Sequence, residues 1–153
     1  MPTPDKLMHN ILSDMNVKLA SEFHKNFSRK GFFTKKWPDR KNTKALGSLM
    51  TVTGVLRGGI KSRVLGNGVE FSSDVPYAAK HNEGGTYHEK VREHTRRNKK
   101  TGKSYRVKSF NRTVIMPRRR FIGESPEVRH IIGDVIAKNA TRYFTDLAKK
   151  IRK

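Results

Sequence analysis

The feature that most limits how this chain can fold is a pair of long apolar stripes, one toward each end, opened by the same start signal. Thr3, Pro4 and Asp5 supply a capping hydroxyl, a proline suited to the first helical position and an acid at the positive helix end. Leu7, Met8, Ile11, Leu12, Met15, Leu19, Phe23 and Phe27 then recur at spacings of three and four. This predicts an amphipathic helix ending near Arg29, with Gly31 as its stop. Ser125, Pro126 and Glu127 repeat the signature, and Val128, Ile131, Ile132, Val135, Ile136, Ala140, Phe144, Leu147 and Ile151 carry the second stripe. Lys149, Lys150, Arg152 and Lys153 stand at its negative end, where cations are stabilising.

From Phe32 to Lys44 the periodicity lapses into a basic loop. It holds the only tryptophan, Trp37, which is expected to cap an edge of the core beside Pro38. Leu46 to Ile60 reads as a short helix or turn feeding a strand from Ile60 to Leu65. Asn67-Gly68 is a hairpin signal, followed by a return strand Val69 to Ser72 with Val69 and Phe71 on one face. Asp74 to Glu83 reads as a capped helical turn around Pro76 and Ala79, closed by Gly84 and Gly85. The fold class is therefore α+β, a single domain over 1–153 with two long helices packed on a small antiparallel sheet.

Charge decides what remains. Lys and Arg number 34 against 13 acids, a formal net charge of +21, which draws polyanions or acidic protein surfaces and makes copies repel. Residues 86–120 hold 13 of the bases and only two acids, Glu89 and Glu93, over half of the chain's excess. Lys100 to Lys103 marks a turn inside that segment, and Val91, Tyr105, Val107 and Phe110 flank it. A protruding basic β-hairpin or arm over about 86–115 accounts for this pattern, and so does a flexible loop. Arg92, Arg96, Arg97, Lys99, Lys100, Lys103, Arg106 and Lys108 are its candidate contacts to DNA or to an acidic partner, with Tyr105 and Phe110 available to stack on bases.

Catalytic patterns are scarce. The chain has no cysteine, which excludes disulfides and thiolate metal sites. His81, His88 and His94 lack the spacing of a zinc site, and with Asn82 they form only a weak likeness to a His-Asn-His nuclease. Thr101 to Ser104 lacks the preceding glycine of a phosphate-binding loop. No metal, cofactor or enzymatic activity is expected. No apolar run of about 18 residues crosses a membrane. Met1 to Asp5 does not begin a secretory signal, so the chain is expected to stay in the cytosol in which it is made.

Four segments in order carry a resemblance. They are Thr53 to Ile60 (Thr-Gly-Val-Leu-Arg-Gly-Gly-Ile), Gly68-Val69, Val75 to Gly85 (Val-Pro-Tyr-Ala-Ala-Lys-His-Asn-Glu-Gly-Gly), and Met116 to Gly123 (Met-Pro-Arg-Arg-Arg-Phe-Ile-Gly). Together they resemble the virion morphogenesis family of tailed bacteriophages, the tail-completion or neck proteins, and Trp37-Pro38 matches its loop after the first helix. The likeness spans roughly Phe32 to Gly123. It implies structural roles for Trp37, Gly54, Leu56, Arg57, Pro76, Tyr77, Ala78, His81, Gly84, Gly85, Pro117, Arg120 and Phe121. It also implies a homo-oligomeric ring, sixfold by preference, bound to connector and tail proteins at the head–tail interface of the virion. Gly59 departs from the family's usual serine. The basic arm is longer than the family's spacer, so contact with virion DNA or an acidic neighbour is read from its charge alone. A free nucleic-acid-binding protein is the alternative.

Overall fold

A computed structural model describes residues 3–42 and 47–152, and its two longest elements are the helices that the apolar stripes predict. Met1, Pro2, Lys44, Leu46 and Lys153 lie outside the described residues. Helix α1 runs Pro4–Arg29, its first turn closed by the Thr3 hydroxyl accepting from the Lys6 N–H at 3.3 Å. It ends one residue before the expected stop, on Lys30 in the left-handed region (φ 54°). Gly31 belongs instead to a tight hairpin of β1 (Gly31–Phe32) and β2 (Lys35–Lys36), where a Cβ would sit 2.7 Å from the Lys35 carbonyl oxygen. Helix α4 spans Pro126–Ile151 and is capped by Ser125, whose Oγ accepts from the Val128 N–H at 3.2 Å.

Between the helices lie α2 (Val55–Gly58), β3 (Ile60–Leu65), β4 (Gly68–Ser73), α3 (Ala78–Glu83), β5 (Gly85–Val91), β6 (His94–Arg97), β7 (Ser104–Val107) and β8 (Phe110–Met116). Among the described residues, the expected single small sheet is replaced by four two-stranded antiparallel ladders. Beyond Ile60, strand β3 is exposed on both faces, and among the described residues it pairs with β4 alone. The β3–β4 connection is Gly66-Asn67, with Gly68 already paired to Leu65, and neither connecting residue has a positive φ. The register that seats Phe71 against the helices fixes this one-residue offset from the Asn67-Gly68 signal. Asp74 does not cap α3. It pairs with Lys61 at 2.6 Å, while Tyr77 occupies the cap position without a side-chain bond.

Packing also differs from two helices laid on a sheet. Helix α1 contacts the β3–β4 hairpin and also packs along α4. Leu19, Phe23, Phe32 and Val128 form the core between them, with Phe71, Ile131 and Ile132 against it. Phe23 meets the Phe71 ring edge-on at 4.9 Å. Further along, Asn139 is buried and donates to Asp14 Oδ2 at 3.0 Å, tying the helices by a polar contact. A second core joins Phe27, Trp37, Leu56, Ala78 and Phe121. Trp37 lies inside it at 6% exposure and is no edge cap.

The departure at Gly59 has a steric cause. A Cβ there would lie 2.4 Å from Val75 Cγ2, so the space a serine needs is filled by valine. Gly59→Ser is expected to destabilise the fold by about 1–3 kcal/mol through overpacking, and adding Val75→Ala is expected to recover part of that loss. Denaturant unfolding of both variants reads the effect.

Candidate interaction site: the basic hairpin and its anchor

The segment 117–123 returns the chain from the hairpin to α4, and side chains from three distant places hold its backbone. Asn82 Oδ1 accepts from the N–H groups of Phe121 at 2.9 Å and Ile122 at 3.2 Å. Asn26 Nδ2 donates to the Phe121 carbonyl at 3.1 Å, and Trp37 Nε1 donates to the Arg120 carbonyl at 2.6 Å. The Arg119 N–H donates to the His81 carbonyl at 2.8 Å. These bonds explain why the third and fourth family-like segments and the tryptophan loop occur together: one backbone stretch is clamped by the other two.

Of the residues singled out in the sequence, Trp37, Leu56, Ala78 and Phe121 meet in one core cluster. His81 and Gly84 form the junction beneath the hairpin, with Tyr77 edge-on to His81 at 5.9 Å between ring centroids. Gly84 has φ 66°, and a Cβ on it would lie 2.6 Å from the Arg118 nitrogen, so glycine is required by both conformation and space. Gly85 (φ 123°) then opens β5, which Tyr87 steadies by donating its hydroxyl to the Gly84 carbonyl at 2.8 Å. Pro117 is half-buried where β8 leaves the ladder. Arg120 caps locally, donating to the Glu124 carbonyl at 2.8 Å and lying over the Phe32 ring. Gly54, Arg57 and Pro76 sit on the surface, apart from this cluster.

Three functional side chains escaped sequence reasoning. Asn26 is fully buried within the apolar stripe of α1, and its only signal was a polar residue on that stripe beside Phe23 and Phe27. Asn82 carried a signal only as part of a nuclease-like pattern. Arg119 stood among three arginines counted as arm charge, yet it is buried and donates to the carbonyls of Pro38 at 2.8 Å and Asp39 at 2.9 Å.

Burial, reinforced by the Arg119 guanidinium, holds the His81 imidazole below its ordinary pKa of 6.5, and burial with Arg57 does the same to His24. Both histidines therefore take up a proton at lower pH in the fold than in the unfolded chain, which does so near pH 6.5. Stability from this source is constant above that pH and falls as the pH drops below it. His24→Gln combined with His81→Gln is expected to flatten the thermal midpoint between pH 7.5 and 5.5, relative to a parent that declines.

The basic segment is a hairpin and not a loose loop. Strand β5 pairs with β8 from Gly85↔Met116 to Val91↔Phe110, and β6 pairs with β7 from His94↔Val107 to Arg97↔Ser104. The two ladders share one register, and the Asn98 N–H donates to the Lys103 carbonyl at 2.8 Å to close the tip. From Gly85 to Arg97 the arm reaches roughly 40 Å at the rise of an extended strand. Both acids are engaged: Glu89 with Lys80 at 3.1 Å and Arg112 at 2.9 Å, and Glu93 with Arg106. Hydrogen bonds from Arg112 and Lys80 hold the Glu89 carboxyl below the usual carboxylate range. Arg92, Arg96, Arg97, Lys99, Lys100, Lys103 and Lys108 are exposed. Tyr105 and Phe110 are both about half exposed, but they differ by an odd number of positions on one arm strand and so face opposite sides.

His88 bonds to Thr113 at 3.2 Å and His94 to the Arg92 carbonyl at 2.9 Å. Among the described residues no three His, Cys, Asp or Glu side chains group as a metal ion requires, and no helix is long and apolar enough to cross a membrane. The sequence model of the phage virion morphogenesis family matches residues 9–140. No curated protein and no solved structure gives a significant match.

Proposed function

Because this chain belongs to the phage virion morphogenesis family, we propose that it is a ring-forming structural subunit of the head–tail junction, a neck or tail-completion protein without enzymatic activity. The observation that carries this reading is the amount of binding surface a lone copy leaves wet. Every ladder is two-stranded with both outer edges unpaired among the described residues. Val64 and Leu65 at the β3–β4 tip, and Phe144 and Ile151 on the far end of α4, are 42%, 44%, 62% and 77% exposed. Edges and apolar positions of this kind are stabilised when neighbouring subunits cover them. Connector and tail proteins above and below the ring are the proposed partners. The ring assembles in the host cytosol before it joins the virion.

The test is the mass of the purified protein in solution at moderate salt, which screens the repulsion between +21 subunits. A discrete oligomer of about six chains is expected, and a monomer at every concentration contradicts a self-assembling ring. The exposed charge of the arm favours one second reading, a free nucleic-acid-binding protein, which predicts a monomer that takes up DNA stoichiometrically. Under the ring reading, neutralising Arg96, Arg97, Lys99 and Lys100 together lowers the yield of completed particles while the protein stays folded. An unaltered titre of infectious particles contradicts that role for the arm.

A further inference from the structure

The arm's two faces are not equivalent. In an antiparallel ladder directly paired residues share a face and successive residues alternate. The register of β5–β8 continues unshifted into β6–β7 across the short gap at Arg92-Glu93 and Lys108-Ser109. One face therefore carries both acids, Glu89 and Glu93, in ion pairs with Arg112 and Arg106, together with Arg97 and Lys108. That Glu93 reaches Arg106 agrees with an unbroken alternation. The opposite face carries Lys90, Arg92, His94 and Arg96 on the outgoing strand and Asn111, Val107 and Tyr105 on the return, with no acid at all. Arg96 stands directly opposite Tyr105 on it, its Nε bonded to His94 Nε2 at 3.1 Å.

We propose that this acid-free face of the hairpin, from Lys90 to Arg96 with Tyr105, is a binding track for the sugar-phosphate backbone of DNA. Its cations Lys90 and Arg92 stand two residues apart, about 6.6 Å along an extended strand, close to the spacing of successive phosphates on one nucleic-acid strand, and Arg96 continues the line four residues further on. The tip adds Lys99, Lys100 and Lys103, which extend the same charge to the end of the arm. An acidic protein partner fits less well. Protein interfaces are built around desolvated apolar anchors and are depleted in lysine, whereas this stretch offers lysine and arginine with a single aromatic ring. Phosphate contacts need no such anchor and are independent of base sequence, while Tyr105 supplies a stacking surface for an unpaired base. The inference rests on the reading of the hairpin as an outward contact arm, and it does not require the ring.

The experiment uses the full chain and fluorescence anisotropy of short labelled duplex and single-stranded DNA of arbitrary sequence, over a series of salt concentrations. The parent is expected to bind both, with affinity falling steeply as salt rises. The triple variant Lys90→Gln, Arg92→Gln, Arg96→Gln is expected to lose at least tenfold in affinity at physiological salt. Its salt slope should be shallower by up to about 2.7, from three fewer phosphate contacts. A control removing equal charge elsewhere, Lys35→Gln, Lys36→Gln, Lys138→Gln, is expected to stay within threefold of the parent. All six side chains are exposed, so thermal unfolding should be unchanged in both variants. Equal losses in the two variants would overturn the track, because binding would then follow the field of the whole molecule. A parent that ignores DNA but binds polyglutamate would overturn it in favour of an acidic protein surface. Oligomer mass measured on the same samples is a separate readout, so loss of the ring and loss of the track are distinguishable.

Discussion

Phe121→Ala lowers the free energy of unfolding by about 3–5 kcal/mol, the cost of emptying a core phenylalanine site. Phe121 is fully buried, its ring 5.3 Å from Phe27, in the cluster that also holds Trp37, Leu56 and Ala78. Relaxation into the space is restricted because the backbone at this position is pinned on both sides, its N–H by Asn82 and its carbonyl by Asn26. The loss is therefore expected toward the upper end of the range. Against a typical total of about 5–15 kcal/mol it takes away much of the stability, and the thermal midpoint should fall by roughly 10 °C or more. Phe121→Leu, which keeps most of the volume, should cost far less. A loss under about 1 kcal/mol for the alanine variant would mean that Phe121 does not occupy the core.

Asn26→Ala is the second large effect, and its origin is polar. The Asn26 amide serves two backbone groups at once, accepting from the Phe33 N–H at 3.0 Å and donating to the Phe121 carbonyl at 3.1 Å. With the side chain fully buried, water does not replace it, and each abandoned backbone group costs about 1–3 kcal/mol. The expected total is about 2–4 kcal/mol. Asn98 is the internal comparison: its Oδ1 also accepts from two backbone N–H groups, those of Lys100 and Thr101, but at the exposed hairpin tip. Asn98→Ala should cost no more than about 1 kcal/mol, because solvent takes over both donors. Urea unfolding of the pair decides the matter, and equal losses would contradict a clamp on segment 117–123.

The same contrast shows what the sequence could and could not reveal. Both long helices were legible because an apolar stripe, a capping hydroxyl and a proline all act locally, within a few residues of one another. The arm was legible as an excess of bases around a turn, although only the pairing of Gly85 with Met116 distinguishes a hairpin from a loop. The polar residues that hold the anchor were not legible. Asn26 lies 95 positions from the carbonyl it bonds, and Arg119 lies 81 and 80 positions from its two acceptors. Nothing local separates Arg119, which is buried, from Arg118, which is exposed. Trp37 was misplaced for the same reason, since the groups that enclose it come from α1, α2, α3 and the return segment.

The interaction surface divides similarly. Charge counts located the arm, but only the register separates the face where Glu89 and Glu93 are neutralised from the face without acids. Tyr105 and Phe110 are both available to stack on bases by sequence, and the pleat sends them to opposite sides.

The central claim, a subunit that joins head to tail, is tested most directly by electron microscopy of lysates from a phage in which this chain's gene has been interrupted. The account predicts filled heads and separate tails in place of joined particles, with joining restored when the intact chain is supplied from a plasmid. Joined, infectious particles in normal numbers without the chain would contradict it.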